Sequence, residues 1–146
     1  MPEQETLERA REDERGGLSP STQAGEFVRE EMEHLREGEH GARSPEQAIA
    51  IGLSKARRAG VKLPPPKQGK ALTKRQARRD LAKGRRRKQP SRMRSRAVRG
   101  ALKRESRRSA SRKALSRHAK RAARARSATS RSAAAKKAAR TRKRRP

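Results

Sequence analysis

Apolar residues recur at helical spacing in one short stretch of the chain and almost nowhere else. Between Ala24 and Leu35, the residues Ala24, Phe27, Val28, Met32 and Leu35 fall on one stripe of a 3.6-residue helix, with Glu30, Glu31 and Glu33 mostly outside it. Gly38 follows as the stop signal. A second helix is announced by Ser44-Pro45-Glu46-Gln47, with Ser as N-cap, Pro at the first helical position and Gln three residues on from the cap. It should run to about Arg58, with Ala48, Ile49, Gly52, Leu53 and Ala56 on its apolar face and Gly60 at its end. The two helices predict a hairpin over residues 22–63, with Phe27, Val28, Met32, Leu35, Ile49 and Leu53 as its core. Val61 and Leu63 can fold back over its end. A core this small is near the limit for independent stability, so a second surface is expected to contribute. Ile51, facing away from the stripe, offers a place for a protein partner or for self-association.

On either side the pattern fades. Residues 1–21 hold Glu3, Glu5, Glu8, Glu12, Asp13 and Glu14, and a charged helix from Pro2 to Arg15 would have only Leu7 and Ala10 to bury, which predicts an acidic, flexible, solvated arm. Pro64-Pro65-Pro66 lacks three backbone donors and favours an extended conformation, so residues 64–70 read as a stiff spacer. Residues 71–146 form a low-complexity tail of Arg, Lys, Ala and Ser. Two tail segments carry local helix signals. Thr73-Lys74-Arg75-Gln76 resembles a capping box leading to Ala77 and Leu81 and ended by Gly84, and Ala97, Val98, Ala101 and Leu102 make a stripe between Ser95 and Glu105. Like charges three and four residues apart should keep this tail unfolded in water and let it become helical on a polyanion. The expected fold is therefore mostly α and disordered: a small helical hairpin, then a basic tail that is helical in part or on binding.

Charge sharpens this division. The 146 residues carry a formal net charge of +29, with 44 Lys and Arg against 15 Asp and Glu. Residues 1–46 hold 13 acids and six Lys or Arg, a net −7, while residues 47–146 hold 38 Lys or Arg and only two acids, Asp80 and Glu105, a net +36. So lopsided a chain reads as a basic nucleic-acid-binding arm on a small acidic module. The residues expected to touch phosphate are Lys74, Arg75, Arg78, Arg79, Lys83, Arg85, Arg86, Arg87 and Lys88, then Arg92, Arg94, Arg96, Arg99, Lys103, Arg104, Arg107, Arg108, Arg112, Lys113 and Arg117. Lys120, Arg121, Arg124, Arg126, Arg131, Lys136, Lys137, Arg140, Arg142, Lys143, Arg144 and Arg145 complete the set. Sequence preference is not expected, because the chain has no Asn to read adenine, no aromatic residue in the tail and no zinc-finger or RNA-recognition signature.

The stretches Thr22-Gln23-Ala24-Gly25-Glu26-Phe27-Val28-Arg29-Glu30-Glu31, His40-Gly41-Ala42-Arg43-Ser44, Gln47 to Arg57 (QAIAIGLSKAR) and Val61-Lys62-Leu63-Pro64-Pro65-Pro66 resemble a family of small, basic, uncharacterised bacterial proteins. Its members share a Q-A-I-A-I-[AG]-L-S-x-A core, and the longer ones end in a histone-H1-like tail. The resemblance implies a bacterial, DNA-associated protein of the cytoplasm and nucleoid. In this chain Arg outnumbers Lys about two to one from residue 67 on, whereas histone-H1-like tails favour Lys; guanidinium stacks on bases and binds phosphate bidentately, which keeps RNA open as a ligand.

Enzymatic chemistry finds little to work with. Cysteine is absent, 29% of residues are hydrophobic and the single aromatic residue is Phe27, too little to wall a catalytic pocket. Of the three histidines, His34 lies beside Glu30, Glu31 and Glu37 on the first predicted helix, an arrangement that reads as solvated rather than metal-binding. No cofactor, metal, small-molecule substrate or membrane partner is expected. The expected function is sequence-nonspecific DNA binding by a nucleoid-associated, histone-H1-like protein. The alternatives are an RNA- or ribosome-associated basic protein, or an adaptor whose hairpin holds a protein partner.

Overall fold

The computed structural model describes residues 1–86 and 91–144, and about three quarters of them are helical. In order come α1 (Gln4–Arg15), α2 (Pro20–Glu37), α3 (Pro45–Ala59), α4 (Ala71–Arg86), α5 (Arg92–Lys103), a 3-10 turn (Arg107–Ala110), α6 (Arg112–Arg124) and α7 (Ala128–Arg144). The chain divides into two units, Met1–Ser111 and Arg112–Pro146.

The hairpin at the centre of the first unit is built as its caps dictate. Ser19 accepts from the Thr22 amide at 3.4 Å to start α2, and Gly38, at φ 85°, ends it in the left-handed region that glycine enters without strain. Ser44 accepts from the Gln47 amide at 3.2 Å to start α3, while Gln47 Oε1 accepts from the Arg43 amide at 2.6 Å. The reciprocal half of the capping box thus lands one residue before the cap. Phe27 and Leu35 are fully buried, Met32 nearly so, and Val28, Ile49 and Leu53 are half-buried. Gly52 is where α2 and α3 touch, since a Cβ there would lie 2.7 Å from the Val28 Cα.

Three expectations about the flanks are overturned. The N-terminal arm is not solvated: α1 packs on α2, burying Thr6 and Ala10, and Leu7 leans on the cluster of Ala10, Ala24, Phe27, Ala56 and Val61. Charge pairs replace missing apolar area, with Arg9 Nε 3.0 Å from Glu26 Oε2 and the Glu3 amide donating to Glu30 Oε1 at 3.3 Å.

The basic half is not a disordered tail. Its described residues form α4 to α7, which overturns the mostly α and disordered fold class. The balance of magnitudes explains why. Like-charge pairs at helical spacing cost only a few tenths of a kcal/mol each, and Ala, Arg, Lys and Leu all lie at the favourable end of the helix scale. Serines within the low-complexity run start helices: Ser91 accepts from the Arg94 amide at 3.3 Å to cap α5, and Ser127 from the Ser130 amide at 3.2 Å at the start of α7.

The local signals in that half are also displaced. α4 begins at Ala71, so Thr73 lies inside it rather than capping it. Gly84 does not end it either; the helix passes through this residue, and the Arg57 carbonyl of α3 occupies the space that a Cβ there would need. In α5 the expected stripe forms helix without a buried face, for Val98 is 58% exposed and only Leu102 and Gly100 are half-covered.

Candidate functional site

Helix geometry turns the scattered Lys and Arg into faces. In α4 the buried side is Ala77 and Asp80, and Arg75, Arg78, Arg79, Lys83 and Arg86 fall on the opposite side, all exposed; Arg85 is exposed at its flank and Lys74 is half-buried. In α5, Arg92, Arg96, Arg99 and Lys103 recur at intervals of four, three and four residues, one line along the helix, with Arg94 off it. Arg104 follows, and Arg107 and Arg108 lie in the 3-10 turn, all exposed.

In the second unit α6 repeats that spacing. Lys113, Arg117, Lys120 and Arg124 share a line, flanked by Arg121, and the half-buried Leu115 and His118 lie across the helix. Arg112 opens the helix and Arg126 follows it. On α7, Lys136, Lys137, Arg140, Lys143 and Arg144 share a broad face from which Arg131 and Arg142 diverge. Arg87, Lys88 and Arg145 lie outside the described residues.

The first unit keeps its own share of the basic residues in place by turning the only two acids of the last hundred residues to structural use. Asp80 is 1% exposed and accepts from Ser54 Oγ at 2.7 Å, Arg58 Nε at 2.9 Å and Gln76 Nε2 at 3.1 Å, which fastens α4 to α3. Glu105 lies 3.7 Å from Arg43, beside backbone bonds from the Gly41 amide to the Leu102 carbonyl and from Ala42 to Ser106. Arg57 is drawn inward as well, donating to the carbonyls of Leu63 and Pro64 at 3.1 and 3.2 Å. Burial lowers its pKa from the ordinary guanidinium value, and the Asp80 charge offsets part of that.

The acidic half pairs its cations locally. Arg9 meets Glu5 and Glu26, and Arg29 meets Glu26 and Glu33; the hydrogen bond to Glu33, followed by the charges of Glu26 and Glu33, raises the Arg29 pKa. Two of its acids behave otherwise than helical spacing suggests. Glu30 and Glu31, expected mostly outside the apolar stripe, are 1% and 0% exposed, and Lys55 from α3 pairs with both. His34, expected to be solvated, is 8% exposed, with Glu3 Oε1 3.1 Å from its Nε2. The cause is a second covered face on α2, closed by α1, by Lys55 and by the loop that carries His40. Its sequence trace is the spacing Glu31-x-x-His34-x5-His40, which apolar periodicity does not register.

Among the described residues no helix is long and apolar enough to cross a membrane. The depression bounded by Arg92, Met93, Arg96 and Ala97 is open to solvent and basic. Residues 20–68 match the model of DUF6496, a family of unknown function, a span that takes in α2, α3 and the proline run. No curated protein and no solved structure matches the chain.

Proposed function

We propose that the chain binds nucleic acid without sequence preference, duplex DNA before RNA, as a histone-H1-like nucleoid protein. The observation that carries this reading is the line of Arg92, Arg96, Arg99 and Lys103 on α5 and its counterpart of Lys113, Arg117, Lys120 and Arg124 on α6, every member exposed and free of an acid on the same line. Cations held at one-turn intervals can follow a phosphate backbone, and each phosphate neutralised releases condensed counterion, the source of affinity that is strong and indifferent to base sequence. Bidentate guanidinium contacts add to it, and Arg side chains can enter a minor groove. The acidic region around α2 would then face away from phosphate and, through α3, position α4. The resemblance of residues 18–70 to small basic bacterial proteins with histone-H1-like tails agrees with this function.

The Arg excess favours a second reading, structured RNA, because guanidinium planes stack on unpaired bases. Affinity of the full chain for a random-sequence duplex and for a structured RNA of equal length, each at several salt concentrations, decides between them. The duplex should bind as tightly or more tightly, with a steep salt slope and no dependence on base sequence. Replacing Arg92, Arg96, Arg99 and Lys103 by Ala together should flatten the slope by about 0.9 for each phosphate no longer neutralised, whereas Arg11→Ala with Arg36→Ala should leave it unchanged. A shallow slope, a sequence preference, or binding indifferent to the α5 substitutions would overturn the proposal.

A further inference from the structure

Glu31, His34 and His40 bring one carboxylate oxygen and two ring nitrogens within 4.8 Å of one another. Glu31 and His34 come from α2, three residues apart, and His40 joins them because the left-handed turn at Gly38 folds the chain back beside the helix it has just left. The residues that meet are buried or nearly so, with side-chain exposures of 0% for Glu31, 10% for His34 and 13% for His40.

Two observations set this cluster apart from a surface pairing of His with Glu. His40 Nδ1 lies 3.1 Å from the Gly41 carbonyl oxygen. A carbonyl only accepts, so Nδ1 carries a proton, and the ring presents its other nitrogen, Nε2, to Glu31 Oε2, 3.3 Å away. Ring nitrogen and carboxylate oxygen thus face each other across a short gap inside the protein. Independently, Glu30 Oε2 is buried without a hydrogen-bond donor, while the fully buried Glu31 is met by Lys55 on Oε1 and by His40 on Oε2. Lys55 is one cation set against two buried carboxylates, so this pair calls for further compensation, from the histidines or from a bound cation.

We propose that Glu31, His34 and His40 form a binding site for a divalent transition metal, Zn²⁺ in the first instance. Two imidazoles and a carboxylate suit Zn²⁺ and its neighbours rather than Ca²⁺ or Mg²⁺, which take oxygen donors alone. The Gly41 carbonyl plays the outer part usual around such ions, fixing the tautomer and orientation of a ligating ring. Glu3 and Glu39, with carboxylate oxygens 3.1 and 3.8 Å from His34 Nε2, hold that ring from the other side. The metal would join α2 to the loop behind it and, through Glu3, to the start of α1. This inference stands apart from nucleic-acid binding and survives if that reading fails.

The test uses the full chain stripped with EDTA and titrated with Zn²⁺ by calorimetry, with Co²⁺ absorption in parallel. One equivalent should bind at micromolar concentration or below, the melting temperature should rise, and Co²⁺ should develop a d–d band. His34→Ala and His40→Ala should each weaken binding by about tenfold or more at unchanged helix content, while His118→Ala should bind like the parent. Glu31→Gln also unpairs Lys55, so the histidine variants decide. No saturable uptake, or uptake that persists when His34 and His40 are both replaced, would overturn the proposal; the first result would mean a proton fills the gap and the cluster is an ion network only.

Discussion

Asp80 shows how much one side chain can determine in so basic a chain. Three donors from two helices converge on it, and it is 1% exposed. Asp80→Ala leaves Ser54 and Gln76 without their acceptor, while Arg58, its side chain 42% exposed, regains water. The expected cost is about 1–3 kcal/mol, read as a lower urea midpoint of the full chain with α4 the first segment to lose amide protection. Read along the chain, Asp80 sits in a basic tail without a role, because its partners Ser54 and Arg58 lie 26 and 22 residues away. Gly52 was legible only in part. Periodicity put it on the buried face, but only the packing shows that a methyl group there would collide with the α2 backbone.

Among the elements, α2 and α3 were readable because each carries its own punctuation: a serine cap, a proline at the first turn and a glycine stop. By contrast α1 was not, since apolar patterning records area and α1 docks through small or polar residues, Thr6 and Ala10, and through ion pairs. Ala10→Glu therefore tests the docking directly. A carboxylate at a position 6% exposed would be buried against Ala24, Phe27, Ala56 and Val61, so α1 should detach while α2 and α3 remain helical. Hydrogen exchange should show weakened protection over residues 4–15 with the hairpin largely retained; unchanged protection would mean α1 is held by its charge pairs alone. The helices of the basic half were hidden for the opposite reason, their low-complexity composition resembling that of disordered chains although every common residue in it but Ser is a good helix former.

At the scale of the whole molecule, charge outweighs every other influence. A net +36 over residues 47–146 repels itself through solvent, and raising salt from about 0.01 to 0.15 M shortens the screening length from about 30 to about 8 Å. The melting temperature of the full chain should consequently rise over that range, because the repulsion relieved exceeds the few exposed ion pairs weakened; a fall would mean that pairs such as Arg43–Glu105 matter more than the repulsion. The candidate basic residues were legible as a run of charge and not as faces, for only the helices align Arg92 with Lys103 or Lys113 with Arg124. The inward use of Asp80 has one more consequence. With that carboxylate withdrawn and Glu105 engaged by Arg43, a polyanion lying along α4 or α5 meets no acid that is not already engaged. A strand held on either helix would be attracted all along its length and repelled nowhere, free to glide without giving up any privileged foothold.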